Sequence, residues 1–123
     1  ERDQLNIVDD QIGTPTWSRH IADVTAQALS QANNNDEFWN TNRGIYHLSA
    51  AGQTTWKGFA EAIFKCAEQD GRRVPRVTGI ATEEYPTPAK RPLNSLMDNT
   101  KLQQHFGLQL PDWQLSLQWV FQL

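Results

Sequence analysis

Lys90 and Arg91 stand side by side in YPTPAKRPLNS, residues 85–95, a run that holds three of the chain's six prolines. Proline fixes φ and removes a backbone donor, so the run is expected to be a stiff, extended loop. An arginine on such a loop suits a phosphate or pyrophosphate, because the guanidinium fork matches two oxygens. The plain alternative is a solvated surface loop. A second dense run, VDDQIGTPT, spans residues 8–16. Gln11 offers donors and an acceptor, which suits an amide-like ring such as a pyrimidine. Gly13 permits a backbone conformation closed to other residues, and Pro15 fixes the approach to the next element. This run is either a strand-to-helix turn with caps or one wall of a binding site.

Other reactive side chains form no constellation. His20, His47 and His105 lie in separate segments with no second histidine or cysteine at metal-ligand spacing, which argues against zinc. His47 is read as a structural histidine within a strand, and the single Cys66 as a buried, inert thiol on a helix stripe. The acidic pairs Asp9–Asp10 and Glu83–Glu84 are sequence neighbours. Neighbours on a strand point to opposite faces, so neither pair is a ready acid/base dyad. No GxGxxG run and no P-loop occurs, so no backbone nest for phosphates is expected.

These residues need elements to position them. Leu5–Val8 reads as a short strand. Ile21, Val24, Thr25, Ala28, Leu29 and Ala32 repeat at helical spacing, with Thr16 or Ser18 as cap. That helix is expected to end in a polar loop, QANNNDE. GIYHLS, residues 44–49, has strand propensity. TTWKGFAEAIFKCAEQDG predicts the clearest helix. Its stripe is Trp56, Phe59, Ala60, Ile63, Phe64 and Ala67, its cap Thr54 and its stop Gly71. Val77–Thr82 predicts a third strand. Asn99 is expected to cap TKLQQHF, which Gly107 ends. The tail PDWQLSLQWVFQL fits a strand or a helix, and Pro111 favours the helix. The order indicates a small mixed α/β domain over residues 1–123.

The length of 123 residues suits one domain with a moderate core. The formal net charge is -3 with 11 basic residues and no basic block, so no nucleic-acid partner is expected. No stretch of eighteen apolar residues occurs, so no membrane span is expected. The polar start is not a signal peptide, and one cysteine fits a reducing cytoplasm. The five tryptophans are spread along the chain and are read as core and cleft-wall residues.

Taken together, DQ-x-G-x-PT, YHLS-x2-G-x-T-x-W and YPTPA-x-RP-x-NS, in this order over nearly the whole chain, resemble the C-terminal part of the dTDP-4-dehydrorhamnose reductases. These belong to the extended short-chain dehydrogenase/reductase family. The resemblance implies reduction of a dTDP-linked 4-keto sugar to dTDP-L-rhamnose with NADPH or NADH. It implies a Rossmann domain carrying a glycine-rich motif and a Tyr-x-x-x-Lys pair. Neither is present here: Tyr46 is followed four residues on by Ala50, and Tyr85 by Ala89. The chain is therefore expected to be the substrate-binding portion, without catalytic residues, bound cofactor or turnover of its own. The implied substrate-binding residues are Gln11, Thr16, Arg91 and Ser95, with Arg91 on a pyrophosphate oxygen. Gly13, Pro15 and Pro92 are expected to set backbone shape. Self-association is expected, to cover apolar surface. The alternative is a non-catalytic regulatory subunit of the same fold; a related epimerase or dehydratase fits the third motif less well.

Overall fold

The computed structural model describes residues 3–123. Four strands and five helices follow the chain: β1 Gln4–Val8, β2 Ile12–Gly13, α1 Ser18–Ala32, α2 Asp36–Asn42, β3 Thr54–Thr55, α3 Trp56–Gln69, β4 Arg76–Ile80, α4 Thr100–Phe106 and α5 Trp113–Phe121. A single 3₁₀ turn, Thr82–Glu84, follows β4. The mixed α/β class expected from the element order is the one observed.

Strands β1 and β4 pair in parallel, Leu5 beside Val77 and Ile7 beside Gly79. Helix α3 packs against both. Its ends are set by local chemistry. Thr55, one residue after the expected cap, accepts from the Gly58 amide at 3.1 Å. At the far end Gly71 takes φ +75°. There Gly71 and Arg72 donate back to Glu68 and Ala67, the paired bonds of a Schellman stop.

The core lies in the other half. Val24 of α1, Leu102 and Phe106 of α4, and Leu110 are buried together, with Phe38, Tyr46 and Leu48 packed against them. Phe106 meets Phe38 and Tyr46 edge to face, with centroids 5.9 and 5.1 Å apart. Trp113 of α5, 5 % exposed, stands edge to face with Phe59 of α3 at 6.0 Å, which joins the two halves. Among the described residues no helix is long and apolar enough to cross a membrane.

Further local expectations are corrected. GIYHLS forms no strand, and side chains hold the segment instead. The Asn99 amide donates to Ser49 O and accepts from Ser49 N, Lys101 donates to Ile45 O, and His47 is exposed. The polar loop after α1 contains helix α2, capped by Asn35, which accepts from Glu37 and Phe38 amides. Two left-handed asparagines, Asn33 and Asn34, make the corner. Neither Thr16 nor Ser18 caps α1: Trp17 occupies the cap position without a side-chain bond. Asn99 sits at the α4 cap position without capping it, because its amide is spent on Ser49; Asp98 takes the Thr100 amide. Cys66 is half-buried.

Candidate functional site

The two segments singled out in the sequence meet. Strand β2 is the seam. On one side Ile12 and Gly13 pair antiparallel with Thr55 and Thr54. On the other, Ile12 bridges in parallel to Asn94. Ile12 donates to Leu93 O at 2.8 Å and accepts from Ser95 N at 2.9 Å. The Ser95 hydroxyl also donates to Ile12 O, at 3.1 Å. Residues more than eighty positions apart are thus zipped into two rims of one cleft.

Gly13 serves this closure differently from expectation. Its φ is not in the left-handed region. A Cβ there would lie 2.9 Å from Ser95 Oγ, so glycine is needed for close approach.

Two cavities open along the seam. The larger, about 480 Å³, is lined among others by Gln11, Thr16, Trp56, Phe59, Arg91 and Ser95. The smaller, about 380 Å³, is lined by Asn6, Tyr85 and Thr87, and shares Gln11, Trp56 and Arg91 with the first. All four residues implied by the motifs, Gln11, Thr16, Arg91 and Ser95, line the larger cavity, and two of them line both. Arg91 is exposed. The ion pairs among the described residues, Lys57 with Asp9 and Glu61 and Arg73 with Asp3, do not involve it. It lines both cavities and carries five donors. Thr16 is more committed: its hydroxyl donates to Thr14 O and accepts from Ala50 N, so it builds the wall.

The acidic pair is structural. Asp9 accepts from Thr55 Oγ1 at 2.7 Å and pairs with Lys57 at 3.6 Å. The Glu61 carboxylate first, and Asp9 after it, hold the Lys57 ammonium above its usual range. Asp10 accepts from the Thr82 hydroxyl at 2.6 Å and from the Thr82 amide at 3.0 Å. These two bonds hold its carboxyl below the usual value. Glu84 is likewise spent, on the Ala81 amide. Among the described residues no cluster of three metal-ligating side chains occurs. The arrangement can bind and orient.

Trp56 is the residue that periodicity misplaced. Counted into the core stripe, it is 55 % exposed and walls both cavities. The readable signal was the corner itself: Thr54–Thr55–Trp56 is strand then helix start, and a first-turn residue precedes the packed part of the stripe. Tyr85 and Thr87, on the proline loop, carried no such signal.

Residues 1–123 match the family described as RmlD substrate binding domain. A dTDP-4-dehydrorhamnose reductase of Burkholderia thailandensis is 43 % identical over 121 residues, covering 95 % of this chain and 41 % of that protein. A solved dTDP-4-dehydrorhamnose reductase of Clostridium acetobutylicum superposes with TM-score 0.81 at 32 % identity, over 99 % of this chain and 40 % of that one. The Bacillus anthracis enzyme, solved in complex with NADP, gives 0.71 at 30 %, over 96 % of this chain and 37 % of its own. The chain thus spans about two fifths of the length of the relatives it matches. The resemblance carried by the three motifs is borne out along the full described fold, and this chain belongs to the RmlD substrate binding domain family.

Proposed function

We propose that residues 1–123 form one domain that binds the nucleotide sugar for a dTDP-4-dehydrorhamnose reductase, an enzyme making dTDP-L-rhamnose with NADPH or NADH. The observation that carries this is the zipped seam at Ile12, which sets Gln11 and Arg91, in no ion pair among the described residues, on the shared wall of two cavities. Arg91 takes pyrophosphate oxygens, with Gln11 and Ser95 at the polar edge and Thr16 shaping the wall. Trp56 and Phe59 offer apolar surface to a ring. An interaction subunit would not need a guanidinium beside a hollow of ligand size.

The residues present do not fit the dinucleotide. No glycine-rich nest occurs in the sequence, so this chain's part is to hold and orient the sugar nucleotide. The proton donor is equally absent, since neither tyrosine has a lysine four residues on. The reaction belongs to the cytoplasm, where nucleotide sugars and reduced nicotinamides are found together.

Calorimetry with dTDP and dTDP-rhamnose tests the reading. The chain should bind both, and Arg91→Ala should weaken binding by about 1–3 kcal/mol, the scale of a charged hydrogen bond. Equal affinity for the variant would remove Arg91 from the site. Oxidation of NAD(P)H with the keto sugar by these 123 residues alone would sink the assignment of chemistry elsewhere.

A further inference from the structure

Gln11 stands on the wall common to both cavities, and which end of its amide faces them decides what the site can recognise. That end is determined by proton accounting through Thr82. The Thr82 hydroxyl has one proton. It lies 2.6 Å from Asp10 Oδ1, and a carboxylate can only accept, so the proton is donated there. Asp10 Oδ2 is held in the same way by the Thr82 backbone amide, which leaves the carboxylate no freedom to turn. The Thr82 oxygen then offers only lone pairs to its other neighbour. That neighbour is Gln11, whose Nε2 donates to it at 3.2 Å. A reversed amide would set two acceptor oxygens against each other with no proton between them.

We infer that Asp10 and Thr82 are positioning residues that hold Gln11 with its carbonyl oxygen toward the cavities, so that the site takes a hydrogen-bond donor of the nucleotide sugar at this point. Two donors of that ligand class qualify: the ring imide N–H of the pyrimidine, and a sugar hydroxyl. The inference rests on the nucleotide-sugar reading for its ligand, and on Thr82 alone for its orientation.

Asp10→Asn tests the accounting because it should reverse it. The asparagine oxygen is claimed by the Thr82 backbone N–H, so its NH₂ faces the Thr82 hydroxyl and donates to it. The Thr82 proton is then free to point at Gln11, whose amide turns over and presents NH₂ to the cavities. The site changes from acceptor to donor with almost no change in shape.

The first readout needs no ligand. In ¹⁵N-labelled protein one Gln11 side-chain amide proton should exchange slowly with solvent. Slow exchange should be lost in Asp10→Asn and in Thr82→Val, and restored by Thr82→Ser, which keeps the hydroxyl. Dispersed backbone spectra show that each variant is folded. A Gln11 amide that exchanges freely in the unaltered chain, or is unmoved by Asp10→Asn, overturns the orientation. The second readout is calorimetry with dTDP, N3-methyl-dTDP and dTDP-rhamnose. If the imide is the donor, Asp10→Asn weakens dTDP and dTDP-rhamnose by about tenfold, the scale of one hydrogen bond, and spares the methylated ring. If a rhamnose hydroxyl is the donor, only dTDP-rhamnose is weakened; if the deoxyribose hydroxyl is the donor, all three are. Unchanged affinity for all three overturns the inference. An unaltered chain with the slow amide that binds none of them overturns the nucleotide-sugar reading instead, and the orientation of Gln11 stands.

Discussion

Gly13→Ala places a methyl group 2.9 Å from Ser95 Oγ, at the point where the two rims close. The backbone itself accepts alanine, because φ at Gly13 lies outside the left-handed region. The atom in the way ends a short, exposed side chain, so Ser95 turns aside and gives up its 3.1 Å bond to Ile12 O. That carbonyl keeps its other donor, Ser95 N, at 2.9 Å. The loss therefore falls toward the low end of the usual ~0.5–1.5 kcal/mol for a hydrogen bond. Against it, alanine removes freedom from the unfolded chain, about 0.4–1 kcal/mol in favour of folding. The two nearly cancel, and Tm should move by less than about 4 °C. The cleft does not share in that cancellation, since Gly13 and Ser95 both line the larger cavity. Affinity for dTDP should fall by about threefold to tenfold, the scale of one hydrogen bond. Thermal melts and calorimetry on Gly13→Ala, Ser95→Ala and the double variant close the cycle. If the methyl acts through the serine hydroxyl, the double variant matches either single variant in affinity and matches Gly13→Ala in Tm. Strictly additive effects, or a Tm loss beyond about 8 °C, would refute the reasoning, because the backbone rather than the side chain would then have moved.

Asn99→Ala removes the amide that serves Ser49 on both its backbone groups. It should cost about 1–3 kcal/mol in urea unfolding, and a cost below about 0.5 kcal/mol would show that water replaces the amide freely. The carboxyls of Asp10 and Asp98 are each held low by a threonine, Thr82 and Thr100 respectively, the side-chain bond acting most. Their folded pKa values lie below the unfolded ones. The stability they add is therefore present above the ordinary value of 3.8 and lost as pH falls through the depressed values. Unfolding midpoints should drop on acidification below about pH 4, less steeply in Asp10→Asn. Identical slopes would contradict the linkage. Trp56, Leu29, Leu93 and Met97 are large and exposed, so sedimentation should show self-association that rises with concentration; a monomer at all concentrations would refute it.

Where the residues themselves carried the information, the sequence was readable. Helix α3 announced itself because a stripe, a threonine corner and Gly71 agreed; the cap slipped from Thr54 to Thr55, and Trp56 left the stripe for the cleft. Helix α2 carried its own signal, Asn35 before Asp36 and Glu37, a cap followed by acids that favour a helix start. Its brevity and polarity hid it among neighbouring asparagines. GIYHLS shows the opposite error. Its propensity was real, but a strand needs a partner edge, and Ile45 ends 80 % exposed on a segment tied down by Asn99 and Lys101. Propensity reports what the backbone tolerates, and tertiary pairing decides what it does.

The site divides along the same line. Arg91 and Gln11, which line both cavities, could be singled out because their chemistry is intrinsic to the side chain. Trp56 was not, because its role depends on where the first turn of α3 emerges from the seam. Nor was the service of Asp10, which reaches Gln11 through a threonine more than seventy positions away. Among the described residues no large side chain is fully buried, and the buried cluster of Val24, Leu102, Phe106 and Leu110 does not include the cleft. The rims are held by hydrogen bonds at Ile12, Ser95, Thr55 and Thr82. Each such bond is worth about 1 kcal/mol, and water can replace it. A cleft latched in this way opens locally at lower cost than the core unfolds. A ligand that spans both rims binds only the closed form, so it should stabilise the seam more than the Val24–Phe106 core. Hydrogen exchange at Ile12 and Ser95 should slow on adding dTDP while exchange at Leu102 and Phe106 stays constant. Uniform slowing would show instead that cleft and core open as one unit.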